Sequence, residues 1–393
     1  MAHPTHQSIA VRCALYLRGS GPATVNEIAQ TLELSRTSLE SAMRTLMDIG
    51  LVVDAPTTAG RGAGRPARRY AFDGGSGHVV GVDIGVASVR VVVSDLAGRI
   101  LRHDSFVGVA EYGDGASKLA AVIADVHRCI ASASVPRSRI RAIGVSLPGI
   151  VDDAGRVSTS VVIPEWSGVD IGSQLEEAFG CPVAVDNGVR LAATAEHHLG
   201  VAQLVDDVLY LSVGNRIAMG LILGGRPRRG IHNAAGDIGR LAFRGLDAST
   251  GEIRWRSGST GEEVFELARS GDTDAAREIA DFIDELAHGI ALLVLTVDPA
   301  MVVIGGGLSA ASTQLLDPLR TALTTHIGVP FTIPVVGARL GAEAASHGAV
   351  VLAFHRHAGA VHGLDGMPVP RIKPLPHDIP APNEPVSDHL RQH

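Results

Sequence analysis

Residues 181–190 read C-P-V-A-V-D-N-G-V-R, and this stretch decides the fold. Pro182 to Val185 is a short apolar run, which predicts a buried strand. Asp186, Asn187 and Gly188 end it. From Arg190 to Leu199, the residues Leu191, Thr194, Ala195 and His198 recur at helical spacing and predict a helix. A strand that stops at a polar turn before a helix puts that turn at the carboxyl edge of a sheet, where open α/β folds bind ligands.

The segments on either side resemble each other. Residues 79–101 read V-V-G-V-D-I-G-V-A-S-V-R-V-V-V-S-D-L-A-G-R-I-L, and residues 208–229 read V-L-Y-L-S-V-G-N-R-I-A-M-G-L-I-L-G-G-R-P-R-R. Each has an apolar strand, a turn opening at Gly85 or Gly214, a second apolar strand and a tight turn at Ala97-Gly98 or Gly224-Gly225. An arginine-bearing third segment follows. An internal repeat of this kind predicts two similar lobes with a ligand cleft between them.

Five motifs in order carry a family resemblance: G-V-D-I-G (81–85), G-V-S-L-P-G-I-V-D (144–152), P-V-A-V-D-N (182–187), A-A-G-D-I-G (234–239) and V-I-G-G-G-L-S (303–309). From about Val79 to about His357 the chain resembles the ROK (repressor, open reading frame, kinase) proteins. The resemblance implies an α/β core of two actin-like, sugar-kinase-like (ribonuclease H-like) lobes. The family holds both kinases and sugar-responsive repressors, so the fold leaves function open.

Composition narrows the class. The chain has 393 residues, 46% hydrophobic and 19% charged, which predicts a globular protein of two or three domains. No apolar run reaches membrane-spanning length. Residues 1–8, M-A-H-P-T-H-Q-S, lack the build of a signal peptide. Three scattered cysteines, Cys13, Cys129 and Cys181, fit a reducing cytoplasm. The net charge is −7, but residues 1–75 hold eight arginines against six acids.

That first segment reads as a winged helix-turn-helix. A helix is predicted over Ser8–Arg18. Thr24-Val25-Asn26-Glu27 is a capping box opening a second over Val25–Leu32. Ser35 caps a third that runs to about Ile49 with Leu39, Met43 and Leu46 inward. Arg36, Thr37, Ser38, Ser41 and Arg44 are left outward, suited to base edges and phosphates. Gly50–Val53 and Ala67–Phe72 read as the wing strands. Arg61, Arg65, Arg68 and Arg69 lie in a Gly- and Pro-rich stretch without acids from Ala55 to Phe72, suited to a minor groove or to phosphates. The expected organisation is this module over 1–75, a first lobe over 76–198 and a second over 199–343. A helix over 344–358 returns to the first lobe. The segment 359–393, with seven prolines, reads as a disordered tail.

The departures from the family's kinases bear on function. By resemblance, the residue after V-D-N is the aspartate that takes the sugar hydroxyl proton; here it is Gly188, which has no base to offer. The phosphate turn after Gly85 continues Val86-Ala87-Ser88, and its counterpart is Gly214-Asn215-Arg216-Ile217. Side chains there obstruct a cradle of backbone amides. An asparagine of the family's sugar site becomes Arg190, and its glutamate and histidine become Asp237 and Arg240. Residues 241–265 contain neither cysteine nor histidine, so no structural zinc is expected. Trp166, Asp186, Asn187 and His232, with Arg190, Asp237 and Arg240, are the candidate effector residues. Arg190, Arg240 and Arg216 favour an anionic effector such as a sugar phosphate or sugar acid, with Asp186 and Asp237 as alternative internal partners. No cofactor or metal is expected.

The reading from sequence is therefore a cytoplasmic transcription regulator, most consistent with a repressor. It binds a double-stranded DNA operator as a homodimer or homotetramer, and a catalytically degenerate kinase domain senses a sugar, sugar phosphate or sugar acid. An active sugar kinase with an accessory module and a DNA-binding scaffold without a ligand are the alternatives.

Overall fold

The structure, a computed structural model, describes residues 7–56, 68–243, 246–247, 250–308, 312–329 and 332–375. The N-terminal module contains α1 (Ile9–Ser20), β1 (Ala23–Thr24), α2 (Val25–Leu32), α3 (Arg36–Asp48), β2 (Val52–Ala55) and β3 (Arg69–Phe72). The capping box at the start of α2 is formed: Glu27 N donates to Thr24 Oγ1 at 3.3 Å and Thr24 N donates to Glu27 Oε2 at 2.6 Å. Glu33 ends α2 with φ 53°, which turns the chain into α3. Leu39, Ala42, Met43 and Leu46 bury one face of α3 against α1 and the three-stranded sheet β1-β3-β2.

The core holds β4 (His78–Ile84), β5 (Ser88–Asp95), β6 (Ile100–Val107), α4 (Gly115–Ser132), β7 (Ile140–Leu147), β8 (Ile150–Val151), β9 (Val157–Thr159), α5 (Ile171–Phe179), β10 (Val183–Asn187) and α6 (Gly188–Leu199). These are followed by β11 (Val208–Val213), β12 (Ile217–Leu223), β13 (Arg226–Pro227), α7 (Gly239–Ala242), α8 (Gly261–Arg269), α9 (Thr273–Val297), β14 (Met301–Gly305), α10 (Ser312–Ile327), β15 (Val335–Gly337), α11 (Ala344–Arg356) and α12 (Ala358–His362). The two five-stranded sheets have orders β10-β7-β4-β5-β6 and β15-β14-β11-β12-β13. Strand for strand they are the same topology: three antiparallel strands extended by two parallel ones. The repeat read between residues 79–101 and 208–229 is the β4–β6 and β11–β13 part of each lobe.

Helices α6 and α11 lie side by side between the sheets, α11 on the first and α6 on the second. Glycine makes this approach feasible. A Cβ on Gly144 of β7 would lie 1.8 Å from Ala349 O, and one on Gly348 of α11 would lie 2.0 Å from Leu191 O. Helix α6 starts two residues earlier than the apolar spacing predicts. Asn187 is its N-cap, accepting from Val189 N at 3.0 Å and Arg190 N at 3.3 Å through Oδ1, an arrangement asparagine favours.

The tail reading is corrected for residues 359–375. Few apolar groups occur there, but Val361, Met367 and Ile372 are all buried. Together with α12 they form a strap between the N-terminal module and the first lobe. Arg18 Nη1 donates to Pro368 O at 3.3 Å on one side. On the other, Lys373 N donates to Gly98 O at 2.8 Å and Ile100 N to Lys373 O at 3.1 Å. Prolines suit such a strap, since its extended backbone bonds at few points. Residues 376–393 of the expected tail lie outside the described residues.

Candidate functional site

A cavity of about 520 Å³ opens between the lobes. It is bounded by the Gly85-Val86 turn, Leu147–Ile150, the start of α6, the Gly214–Met219 hairpin, Asn233–Asp237 and the start of α11. Both expected phosphate turns reach it, but the first amide of each is spent: Gly85 N donates to Ser88 O at 3.0 Å and Gly214 N to Arg216 O at 3.1 Å. Arg216 is engaged locally, with Nη2 donating to Glu252 Oε1 at 2.6 Å and Nε to Thr250 O at 2.9 Å.

Gly188 heads α6 at the cavity wall. A Cβ there would sit 3.0 Å from Ser146 Oγ and 4.0 Å from Asp83 Oδ1. The nearest carboxylate is therefore Asp83, which accepts from Ser146 Oγ at 2.6 Å and lies 3.9 Å from Arg90 Nη1. Burial raises its pKa and Glu343 adds to that, while Ser146 and Arg90 oppose.

Asp186 and Arg190 are buried and pair with each other, and Arg190 Nη2 also donates to Asn233 O at 2.9 Å. Burial lowers the Arg190 pKa, with Asp186 opposing. Arg229, not foreseen from sequence, completes the cluster. Its Nε lies 3.5 Å from Asp186 Oδ2 and its Nη1 donates to Asp153 Oδ1 at 2.8 Å. Its Nη2 lies 3.2 Å from Val151 O and 3.3 Å from Asp152 O. Arg229 belongs to the second lobe and its partners to the first, so the cluster clasps the lobes. In sequence it is one of three arginines in R-P-R-R, and nothing in the spacing tells which turns inward.

The other candidates separate. Trp166 is core, 1% exposed, with Nε1 donating to Gly115 O at 3.0 Å; this corrects its assignment to the effector site. His232 is exposed and outside the cavity lining, a second correction. Asn187 lines the cavity, but its Oδ1 caps α6 and its Nδ2 donates to Gly149 O at 2.9 Å. Asp237 lines the cavity and is exposed. The Arg240 side chain lies outside the described residues. Asp186, one of the two internal partners expected for the arginines, pairs with Arg190. Among the described residues no three His, Cys, Asp or Glu side chains group as a metal site, and no described helix is long and apolar enough to cross a membrane.

In the N-terminal module α3 exposes Arg36, Thr37, Ser41 and Arg44, with Ser38 half-buried. A groove of about 590 Å³ separates this face from the wing. Arg68 pairs with Asp54 and lies 5.1 Å from the Tyr70 ring centroid, and Arg69 donates to Pro22 O. Asp54 stands one residue before the acid-free stretch and reaches Arg68 because β2 and β3 are antiparallel. Arg61 and Arg65 lie outside the described residues.

The ROK family model matches residues 79–248 and 241–356. The chain belongs to the ROK family. Among relatives of this ROK protein is the xylose repressor of Bacillus subtilis, 22% identical over 329 residues, covering 78% of this chain and 84% of that one. Among solved structures, a ROK hexokinase from Thermus thermophilus has a TM-score of 0.60 and 29% identity, covering 71% of this chain and 98% of its own. A ROK transcriptional regulator, a homologue of the MLC protein of E. coli, has a TM-score of 0.68 and 20% identity, covering 91% and 97%.

Proposed function

We propose that this ROK protein is a DNA-binding transcription regulator, a repressor, whose kinase-like lobes no longer transfer phosphate. The observation that carries the reading is the winged helix-turn-helix joined to a core with glycine at position 188. The regulator's coverage supports it: the uncovered 9% is too small to hold the N-terminal module, whereas the hexokinase leaves 29% uncovered. The test has two arms. Hexoses and pentoses with ATP give no sugar-dependent turnover, because a positioned base alone is worth about 10²–10⁴-fold. Sugar-dependent turnover that tracks the purified protein refutes this arm. In the other arm, Arg36→Ala weakens operator binding by about 1–3 kcal/mol in fluorescence anisotropy if Arg36 meets a base edge.

The operator carries two half-sites bound by a homodimer or homotetramer, since each chain offers one short reading helix. Full-affinity footprinting on one isolated half-site contradicts this. Wing arginines contribute affinity through phosphates. Arg65→Ala with Arg68→Ala flattens the salt dependence by about 0.9 in logarithmic slope for each phosphate that is no longer neutralised, and an unchanged slope means that these side chains meet no phosphate.

The effector is an uncharged sugar. Asp186 already pairs with Arg190, Asp153 with Arg229 and Glu252 with Arg216, and the name of the xylose repressor relative supports a sugar. Calorimetry in which xylose or glucose binds more tightly than its phosphate supports this, and the reverse order restores the anion. The clasp itself favours a second reading, a ligand-free scaffold, which absence of binding to all of these would support.

A further inference from the structure

The outward face of α3 carries an acid that the proposed function leaves unused. Glu40 lies one turn after Arg36, with Arg36 Nε 2.9 Å from Glu40 Oε1, and both side chains are exposed. Glu40 stands beside Thr37, Ser41 and Arg44, opposite the buried Leu39, Ala42, Met43 and Leu46. It also lines the groove between α3 and the wing with Arg68 and Tyr70.

A carboxylate on a face that approaches DNA is repelled by the phosphates and weakens sequence-independent binding. In the major groove it finds compensation in a base amino group: glutamate accepts from cytosine N4, while arginine donates to guanine O6 and N7. A G·C pair offers those acceptors beside that donor. The Arg36–Glu40 pair offers the complementary donor and acceptor side by side, in the part of a recognition helix that meets base edges.

We infer that Glu40 is a specificity-determining residue that accepts from cytosine N4, with Arg36 beside it on guanine. The assignment rests on the DNA-binding reading above. Glu40 acts mainly by discrimination: it adds little affinity and rejects sites that lack the amino group.

The test is selection from a randomised double-stranded DNA library by the full-length protein, its Glu40→Gln variant and its Glu40→Ala variant. The wild type recovers a motif containing a required C·G pair. Glu40→Gln moves that position towards adenine, which glutamine reads through N6 and N7. Glu40→Ala loses roughly 5- to 150-fold of discrimination there and binds unrelated DNA more tightly, as measured by anisotropy. If both variants recover the wild-type motif with unchanged preference at every position, Glu40 is only a solvated partner of Arg36 and the inference fails. Loss of all DNA binding in Glu40→Ala overturns it too, because removing a repulsive charge must not weaken non-specific contact. A wild type that selects no motif overturns the DNA-binding reading along with this one.

Discussion

Asp186→Asn is expected to destabilise the protein by about 3–5 kcal/mol, the range found when one partner of a buried ion pair is removed. Arg190 is 4% exposed, and Asp186 is its one carboxylate partner among the described residues. Without that charge, its guanidinium keeps Asn233 O and faces an environment that cannot solvate it. Arg229 loses less, because Asp153 and the carbonyls of Val151 and Asp152 still hold it. The midpoint of denaturant unfolding at unchanged slope measures the effect. Asp186→Asn combined with Arg190→Met should recover most of the loss, since it also removes the buried charge that Asp186→Asn leaves unpaired. A single variant within 1 kcal/mol of wild type would show that the clasp is dispensable.

Met367→Ala is expected to cost about 2–5 kcal/mol and to weaken operator binding as well. Met367 is 3% exposed, in the strap between the N-terminal module and the first lobe. Removing its side chain leaves a cavity at the joint between the N-terminal module and the first lobe. The same joint carries a pH signature. His362 is 2% exposed, and burial lowers its pKa from 6.5 to about 4, with the Arg18 charge acting in the same direction. The folded state therefore keeps His362 neutral while the unfolded chain takes up a proton. Its contribution is flat above about pH 6.5, falls as the pH drops towards 4 and is constant below. Between pH 7 and pH 5 this one group removes about 2 kcal/mol. His362→Leu should make the stability loss over that interval smaller than in wild type. Equal losses in the two proteins would place the titration elsewhere, for instance at His78, His197, His198 or His357, whose pKa values burial also lowers.

Most of the fold was legible because its signals are local and repeated. The alternation of apolar strands around Gly85 and Gly214 names both lobes, and the chain order then sets two sheets of one topology. The capping box at Thr24 and Glu27 and the inward set Leu39, Met43 and Leu46 define the N-terminal module from a few residues each. The absence of a carboxylate at position 188 is likewise a fact of sequence, since no tertiary structure can restore a side chain that glycine lacks.

Only the tertiary structure decided where charges end. Asp186 and Arg190, i and i+4, were both visible as candidates, but their pairing depends on burial between two lobes. Arg229 arrives from the other lobe, a contact that no spacing encodes. Asp54 reaches Arg68 through the register of β2 and β3, across a stretch that reads as free of acids. The strap shows the same limit in the core. Val361, Met367 and Ile372 have no helical or strand period, because their burial is set by a seam between two other surfaces rather than by a face of their own. Periodicity reports the side an element turns to its own core, and it is silent wherever a contact is made by a partner distant in the chain.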